Sequence, residues 1–180
     1  DEYDREFKLK LVKNMLSAFT VPLQDRVPGA KKFSLYVLQL RDNCKYVGVT
    51  NNVQRRLREH RRDGEGKGAD WTGAHRPLDG DNAIAFEVPW LREDLSGTAE
   101  VFATAKLALI FGANKVRGAL FCGVEPTQRD IQEFAHIAAA IGNLNYAEVE
   151  AKFLRAFKPP RTMFRRSPLV FDEDEEGTKT

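Results

Sequence analysis

The sequence contains few cysteines: Cys44 and Cys122 are the two among its 180 residues. Two cysteines cannot build a disulfide scaffold, and their separation matches no metal-ligand motif. We therefore expect free thiols in a reducing, intracellular compartment. The chain begins with Asp1 rather than Met. This fits either a trimmed chain or a targeting peptide removed on entry into an organelle such as the mitochondrion.

Long apolar runs and an excess of one charge are also missing. No run approaches the ~18 apolar residues of a membrane-spanning helix. The 28 Lys and Arg against 26 Asp and Glu leave a net charge of +2, so a nucleic-acid surface must arise from local clusters of basic residues. Because there is no glycine-rich phosphate loop after a strand and no Cys-x-x-Cys motif, the sequence does not support a small-molecule or redox enzyme.

Hydrophobic periodicity and turn residues predict a mixture of helices and strands. The apolar stripe of the first helix includes Phe7, Leu11 and Met15, and we expect it to pack against another element. The glycine-rich segment 63–75 is predicted to be a loop. The predicted helices are residues 4–19, 51–62, 97–111, 127–141 and 146–157, and the predicted strands are residues 33–40, 45–50, 83–90 and 116–122.

These elements predict a division of the chain into a central domain with extensions at both ends. We expect an N-terminal amphipathic helix and linker in residues 1–32, and a central domain in residues 33–122. A C-terminal helical hairpin follows in residues 123–158. Residues 159–180 form a basic and then acidic tail, a composition typical of solvated segments.

Residues suited to chemistry are concentrated around the first two predicted strands. Tyr36 and Tyr46 lie on this hairpin, the following helix is dense in arginine, and Glu100 lies in the first turn of a later helix. Taken singly, these features have ordinary interpretations: half-buried strand tyrosines, a solvated helix face, and an acid favoured by the helix dipole. Their order and spacing along the chain, taken together, favour a functional interpretation instead.

In this order and spacing, residues 33–122 resemble the GIY-YIG nuclease family. The resemblance rests on Ser34-Leu35-Tyr36, on Tyr46-Val47-Gly48 ten residues later, and on Arg56 and His60. The stretches KYVGVTNN, GADWT and the ending VRG are also similar. Ser34 and Leu35 replace the glycine and isoleucine of the first motif, and Lys115 replaces an asparagine that often precedes VRG.

The resemblance implies an α/β (α+β) fold, in which a small, mostly antiparallel central sheet is flanked by helices. It also implies hydrolysis of phosphodiester bonds with one divalent metal ion, Mg²⁺ or Mn²⁺. The residues that match the family's catalytic positions are Tyr36, Tyr46, Arg56, His60 and Glu100. Glu100 would hold the metal ion, since Mg²⁺ accepts one or two carboxylates and keeps several waters.

Each of the other matched residues has a chemical part to play in this hypothesis. Tyr36 would position or deprotonate the attacking water, which requires a nearby cation to lower its ordinary pKa of ~10. Arg56 suits that task and can also bind phosphate in bidentate fashion. Tyr46 would hydrogen-bond the water or the phosphate, and His60 could relay a proton from a tyrosine. Both tyrosines must share one face of the sheet, which depends on the register of the hairpin.

Basic residues near these positions and in the C-terminal region form the predicted nucleic-acid interface, with DNA or RNA as the partner. The helix after the hairpin supplies most of them. The predicted contacts are Arg55, Arg58, Arg61, Arg62, Lys67, Arg117, Lys158 and Arg161.

Two functions are consistent with the sequence. The first is a metal-dependent DNA endonuclease with the site described above. The alternative is a catalytically silent subunit of a larger assembly, organellar or otherwise, that binds nucleic acid or protein partners through its terminal helices. The first hypothesis is favoured because all five matched residues are present.

Overall fold

The computed structural model describes residues 1–30, 32–61 and 68–158. The predicted tail in residues 159–180 lies outside the described residues. So do three of the predicted nucleic-acid contacts, Arg62, Lys67 and Arg161.

The described chain consists of a central sheet with helices on both faces. None of its helices is long and apolar enough to cross a membrane. Its strands are β1 (Phe33–Gln39), β2 (Lys45–Thr50), β3 (Ile84–Leu91) and β4 (Val116–Gly118). Its helices are α1 (Glu2–Met15), α2 (Val53–Arg61), α3 (Asp70–Ala74), α4 (Ser96–Phe111), α5 (Gln128–Gly142) and α6 (Tyr146–Ala156).

The strands lie in the order β3-β1-β2-β4. β1 pairs antiparallel with both β2 and β3, while β2 and β4 run parallel. The predicted fold class, a small and mostly antiparallel sheet flanked by helices with helical extensions at both ends, is confirmed.

The register of the β1–β2 hairpin decides which side chains share a face. Tyr36 lies opposite Gly48, and Leu38 lies opposite Tyr46. Because residues two apart on a strand point the same way, both tyrosines lie on one face of the sheet. The opposite face carries Val37 and its partner Val47, in the main hydrophobic core.

Helices α5 and α6 follow one another at the C-terminal end of the described chain. Thr127 and Asp130 make a reciprocal capping box at the start of α5, and Asn143 ends that helix in the left-handed conformation. The ring of Phe134 stacks on Phe121, with centroids 4.3 Å apart, and on Phe153 of α6 at 5.5 Å. The hairpin thereby joins the main core.

Several predicted boundaries differ from the structure. β4 ends at Gly118 rather than at residue 122, because Gly118 and Phe121 exchange two backbone hydrogen bonds of 3.0 Å and close a turn. The predicted loop 63–75 contains the short helix α3. Glu100 lies in the second turn of α4, not in the first, because that helix begins at Ser96.

The apolar stripe of α1 departs most from expectation. Val12 is fully buried, as the amphipathic pattern predicts. Phe7, Leu11 and Met15 were expected to pack with it, but all three are exposed. The helix therefore presents a second, apolar surface away from the core.

Candidate active site

Tyr36 occupies a space that only glycine leaves open on the neighbouring strand. A Cβ atom added to Gly48 would lie 2.5 Å from both Cζ and Oη of Tyr36, closer than any normal contact. The tyrosine ring therefore lies directly over the Gly48 backbone and is 1% exposed. The motif therefore needs a glycine at position 48, because a side chain there would occupy the space of the Tyr36 ring.

Gly48→Ala is expected to destabilise the fold by ~1–3 kcal/mol, the usual cost of overpacking a filled site. The Tyr36 ring cannot swing aside without losing its buried contacts. Gly97→Ala is the matched control, because a Cβ at Gly97 in α4 would meet nothing within 4 Å. Urea unfolding of both variants measures the effect. Equal stability of the two would show that the hairpin adapts to the methyl group.

A chain of hydrogen bonds fixes the proton positions around Tyr36. Its hydroxyl lies 3.0 Å from Nε2 of His60, and Nδ1 of His60 lies 2.9 Å from Oγ1 of Thr72. The Thr72 hydroxyl donates to the backbone oxygen of Ala69 at 2.8 Å, so it must accept from Nδ1–H. Nε2 of the neutral ring then carries a lone pair, and the Tyr36 hydroxyl donates to it.

His60 is held neutral in this arrangement. Burial, reinforced by the charge of Arg56, lowers the pKa of His60 from 6.5 to about 4. A neutral imidazole accepts the Tyr36 hydrogen bond at physiological pH, whereas an imidazolium could not. His60 is thus a neutral hydrogen-bond acceptor behind Tyr36.

Tyr46 and Arg56 extend the site toward solvent. The half-buried Tyr46 ring lies 4.8 Å from the His60 ring and 6.3 Å from the Tyr36 ring. Arg56, one helical turn before His60, is partly exposed and forms an ion pair with Glu59. Its charge and hydrogen bonding oppose the rise in pKa that burial causes at both tyrosines. The Arg56 guanidinium therefore lies close to the hydroxyl groups of both tyrosines.

Burial outweighs that effect of Arg56. The pKa of Tyr36 is raised, first by burial and then by Tyr46. The pKa of Tyr46 is raised too, by burial and by the charge of Glu100. Arg56 therefore acts on the pKa of Tyr36 in the expected direction, but its effect is smaller than that of burial. Both hydroxyls are neutral at physiological pH.

Glu100 reaches the site from α4. Its Oε1 accepts a hydrogen bond of 2.9 Å from the backbone N–H of Ala119, just after β4. Ala119 has a φ of 52°, a left-handed conformation that costs energy for a residue with a side chain. Burial raises the pKa of Glu100, while the Ala119 amide lowers it. The carboxylate thus has one oxygen bound and a partly exposed side chain.

The donor set near Glu100 limits what metal it could hold. The described residues contain no group of three or more His, Cys, Asp or Glu side chains placed to bind a metal ion. This excludes, for that part of the chain, a closed site of the kind that zinc prefers. A single carboxylate fits Mg²⁺, which keeps most of its waters and completes its shell with substrate oxygens.

The predicted basic contacts fall into two groups. Arg55, Arg58 and Arg61 are exposed on α2, and Lys158 is exposed after α6. Arg117 instead lies in the interior with 1% of its surface exposed, and its guanidinium donates to backbone carbonyls. Arg117 therefore cannot contact nucleic acid, and its predicted assignment is corrected to a structural one.

Sequence reasoning missed the residues that support the site. Thr72 sets the histidine tautomer, Glu59 binds Arg56, and Ala119 binds Glu100. For Glu59 a signal existed, since an acid three residues after an arginine on a helix forms an ion pair. Thr72 and Ala119 gave none, because their contacts depend on tertiary packing.

Comparisons with known proteins show what part of the chain is similar to a described family. Residues 32–88 match the family model of the GIY-YIG catalytic domain. The chain is 48% identical over 52 residues to a UPF0213 protein of Bacillus velezensis, covering 29% of this chain and 50% of that protein. It is 46% identical over 43 residues to a UPF0213 protein of Bacillus licheniformis, covering 24% and 41%.

The chain spans half or less of the length of these curated relatives. No solved structure matches it. The family match includes Tyr36, Tyr46, Arg56 and His60 but ends before Glu100. Residues 32–88 therefore carry a domain of the GIY-YIG family, which has a nuclease-type fold.

Proposed function

We propose that this chain is a metal-dependent endonuclease that hydrolyses phosphodiester bonds of DNA or RNA. The observation that carries the proposal is the convergence of Tyr36, Tyr46, Arg56, His60 and Glu100 from β1, β2, α2 and α4. Phosphodiester cleavage needs an activated water, neutralisation of phosphoryl charge, and electrostatic help for the leaving oxygen. The five side chains offer groups for each of these needs.

The partly exposed residues would meet the substrate. The Arg56 guanidinium would bind a phosphoryl oxygen and stabilise the charge that develops there, with Glu59 fixing its orientation. The Tyr46 hydroxyl would donate to a phosphoryl oxygen or orient the attacking water. Exposed Arg55, Arg58 and Arg61 on α2 would bind the flanking backbone of the nucleic acid.

The buried residues would move the proton. Because Tyr36 is neutral and already donates to Nε2 of His60, it would not act as a preformed tyrosinate. The Tyr36 oxygen would instead accept a proton from the attacking water while its own proton passes to Nε2. The neutral His60, with its depressed pKa, supplies the lone pair for this transfer.

Glu100 would hold one Mg²⁺ or Mn²⁺ ion. The bound ion would supply Lewis-acid stabilisation and a more acidic water. The contribution of Glu100 is a carboxylate kept in place by the Ala119 amide. The buried environment that raises its pKa also strengthens its attraction to a cation.

In this proposal the protein works in a reducing compartment. Cys44 and Cys122 are free thiols, one buried and one exposed. An exposed free thiol persists where disulfides are kept reduced.

The test is cleavage of end-labelled duplex, flap, branched and single-stranded DNA and of RNA, with Mg²⁺, with Mn²⁺ and with a chelator. We expect metal-dependent nicking that the chelator abolishes. Tyr36→Phe should lower the rate about a hundredfold or more, since it removes the proton route. Tyr146→Phe is the matched control, because Tyr146 lies on α6 and outside the five site residues.

A second possible outcome of the same experiment would contradict the proposal. Absence of cleavage on every substrate, with circular dichroism showing a folded protein, would refute the proposal. It would favour the alternative, a non-catalytic subunit that keeps the fold and binds partners.

A further inference from the structure

Four large apolar side chains of α1 point away from the rest of the protein. Tyr3 is 78% exposed, Phe7 58%, Leu11 41% and Met15 38%. They follow one another at intervals of four residues and so form a continuous line along the helix. We call these four residues the α1 stripe. Such a row on a soluble chain typically marks an interaction surface.

The α1 stripe does not pack in the hydrophobic core. Val12 and Leu16 are the residues of this helical segment that are fully buried in the main core. At 3.6 residues per turn, the direction of Val12 and Leu16 lies well over a quarter turn from that of Phe7. The stripe is therefore a second apolar face, which folding of one chain leaves uncovered.

The charges along α1 are arranged in two halves. The N-terminal half contains Glu2, Asp4 and Glu6 with one basic residue, Arg5, and the second half contains Lys8, Lys10 and Lys13. Ion pairs within the helix already join Arg5 to Glu2 and Lys8 to Asp4.

Glu6 and Lys10 border the α1 stripe on the same side, one residue before Phe7 and Leu11. Neither takes part in an ion pair with any residue in the described ranges. Both charges are therefore available to a partner that covers the stripe.

We propose that two copies of this chain associate through their α1 stripes, with the two helices antiparallel. In this arrangement Phe7 of each copy packs near Leu11 of the other, and Tyr3 packs near Met15. The acidic half of each helix meets the basic half of the other. Glu6 of each copy then lies beside Lys10 of its partner, which gives two equivalent ion pairs related by the two-fold axis.

The antiparallel arrangement follows from the charges and the helix dipoles. Parallel helices would set the acidic halves side by side and the dipoles in the same direction, which is unfavourable. A stripe on one helix is smaller than a standard interface of ~800 Å² per partner. We therefore expect a reversible dimer whose population rises with concentration.

The test is the association constant of the full chain, measured by sedimentation over a wide range of concentration. Phe7→Glu should weaken the dimer about thirtyfold or more, because it places a charge at the centre of the apolar contact. Glu6→Lys and Lys10→Glu should each weaken it about tenfold, because each sets like charges opposite one another. The double variant Glu6→Lys/Lys10→Glu should recover association.

The matched control for Glu6→Lys is Glu133→Lys, which makes the same change of net charge at an exposed position on α5. It should leave the dimer unchanged, and circular dichroism checks that each variant is folded. A monomer at the highest soluble concentration would overturn the proposal, even if the protein then bound neutral lipid vesicles or another protein through the stripe. A dimer insensitive to Phe7→Glu, or a double variant that fails to recover, would also overturn it.

Discussion

Glu100→Gln is expected to reduce metal-dependent cleavage about a thousandfold, the scale of several kcal/mol that a catalytic metal ion contributes. Glutamine has nearly the same shape and can still accept the hydrogen bond from the Ala119 amide. The turn after β4 should therefore keep its geometry. What is lost is the negative charge that would bind the ion.

The comparison with nucleic-acid binding makes this test specific. Binding of labelled DNA by Glu100→Gln in a chelator should equal or exceed that of the wild type, since a negative charge has been removed. Glu93→Gln is the control, because Glu93 is an exposed acid just before the same helix. Wild-type cleavage by Glu100→Gln would remove Glu100 from the mechanism. A loss accompanied by a lower melting temperature would assign it a structural role.

The hairpin is the part of the fold that the sequence predicts best. Residues 45–50 were predicted as a strand and form β2, and residues 33–40 contain β1. Both segments are rich in aromatic, aliphatic and β-branched residues, and the polar residues 41–43 between them suit a short turn. The spacing of Tyr36 and Tyr46 was informative because the register of a hairpin decides which residues of its two strands lie on the same face of the sheet.

The pKa values and hydrogen bonds of the site depend on burial, and the spacing of residues along the sequence does not reveal burial. The sequence correctly places Arg56 near Tyr36, but it cannot tell that desolvation outweighs the nearby charge. The role of Thr72 was also hidden, since α3 is a five-residue helix in a glycine-rich segment. In α1, two apolar directions compete, and periodicity alone does not show which of them faces the core.

Arg117 was the least predictable residue of all. Basic residues are normally exposed, so an arginine in a short strand suggested a contact with nucleic acid. In the structure its guanidinium lies 4.2 Å from the Trp71 ring and 4.4 Å from the Phe121 ring. Burial lowers the pKa of Arg117 to about 10, which leaves it charged at physiological pH.

The buried cation is balanced by backbone oxygens. Nε donates to the carbonyl of Gly123 at 2.7 Å. One terminal nitrogen donates to the carbonyls of Ala113 and Val116 at 2.7 and 2.8 Å. These bonds join the segment before β4, the strand itself and the segment before α5. Each carbonyl left without a donor in the interior costs ~1–3 kcal/mol.

Arg117→Met is therefore expected to lower the free energy of unfolding by ~3–5 kcal/mol, because it removes every hydrogen bond that the guanidinium donates to backbone carbonyls. Arg117→Lys should lower it almost as much, because one ammonium group cannot reach carbonyls on separate segments. Urea unfolding measures both. Arg58→Met on the exposed face of α2 is the control, expected to keep stability and to weaken DNA binding.

The lysine variant separates the two possible roles of this charge. If Arg117 acted on nucleic acid, Arg117→Lys would keep the positive charge, bind DNA well and remain stable. If it holds three backbone segments together, the same substitution must destabilise the protein although the charge is kept. Because Trp71 precedes Thr72 on α3, the damage should extend to the hydroxyl that orients His60. Residual folded Arg117→Lys should then cleave more slowly than its DNA binding alone would explain.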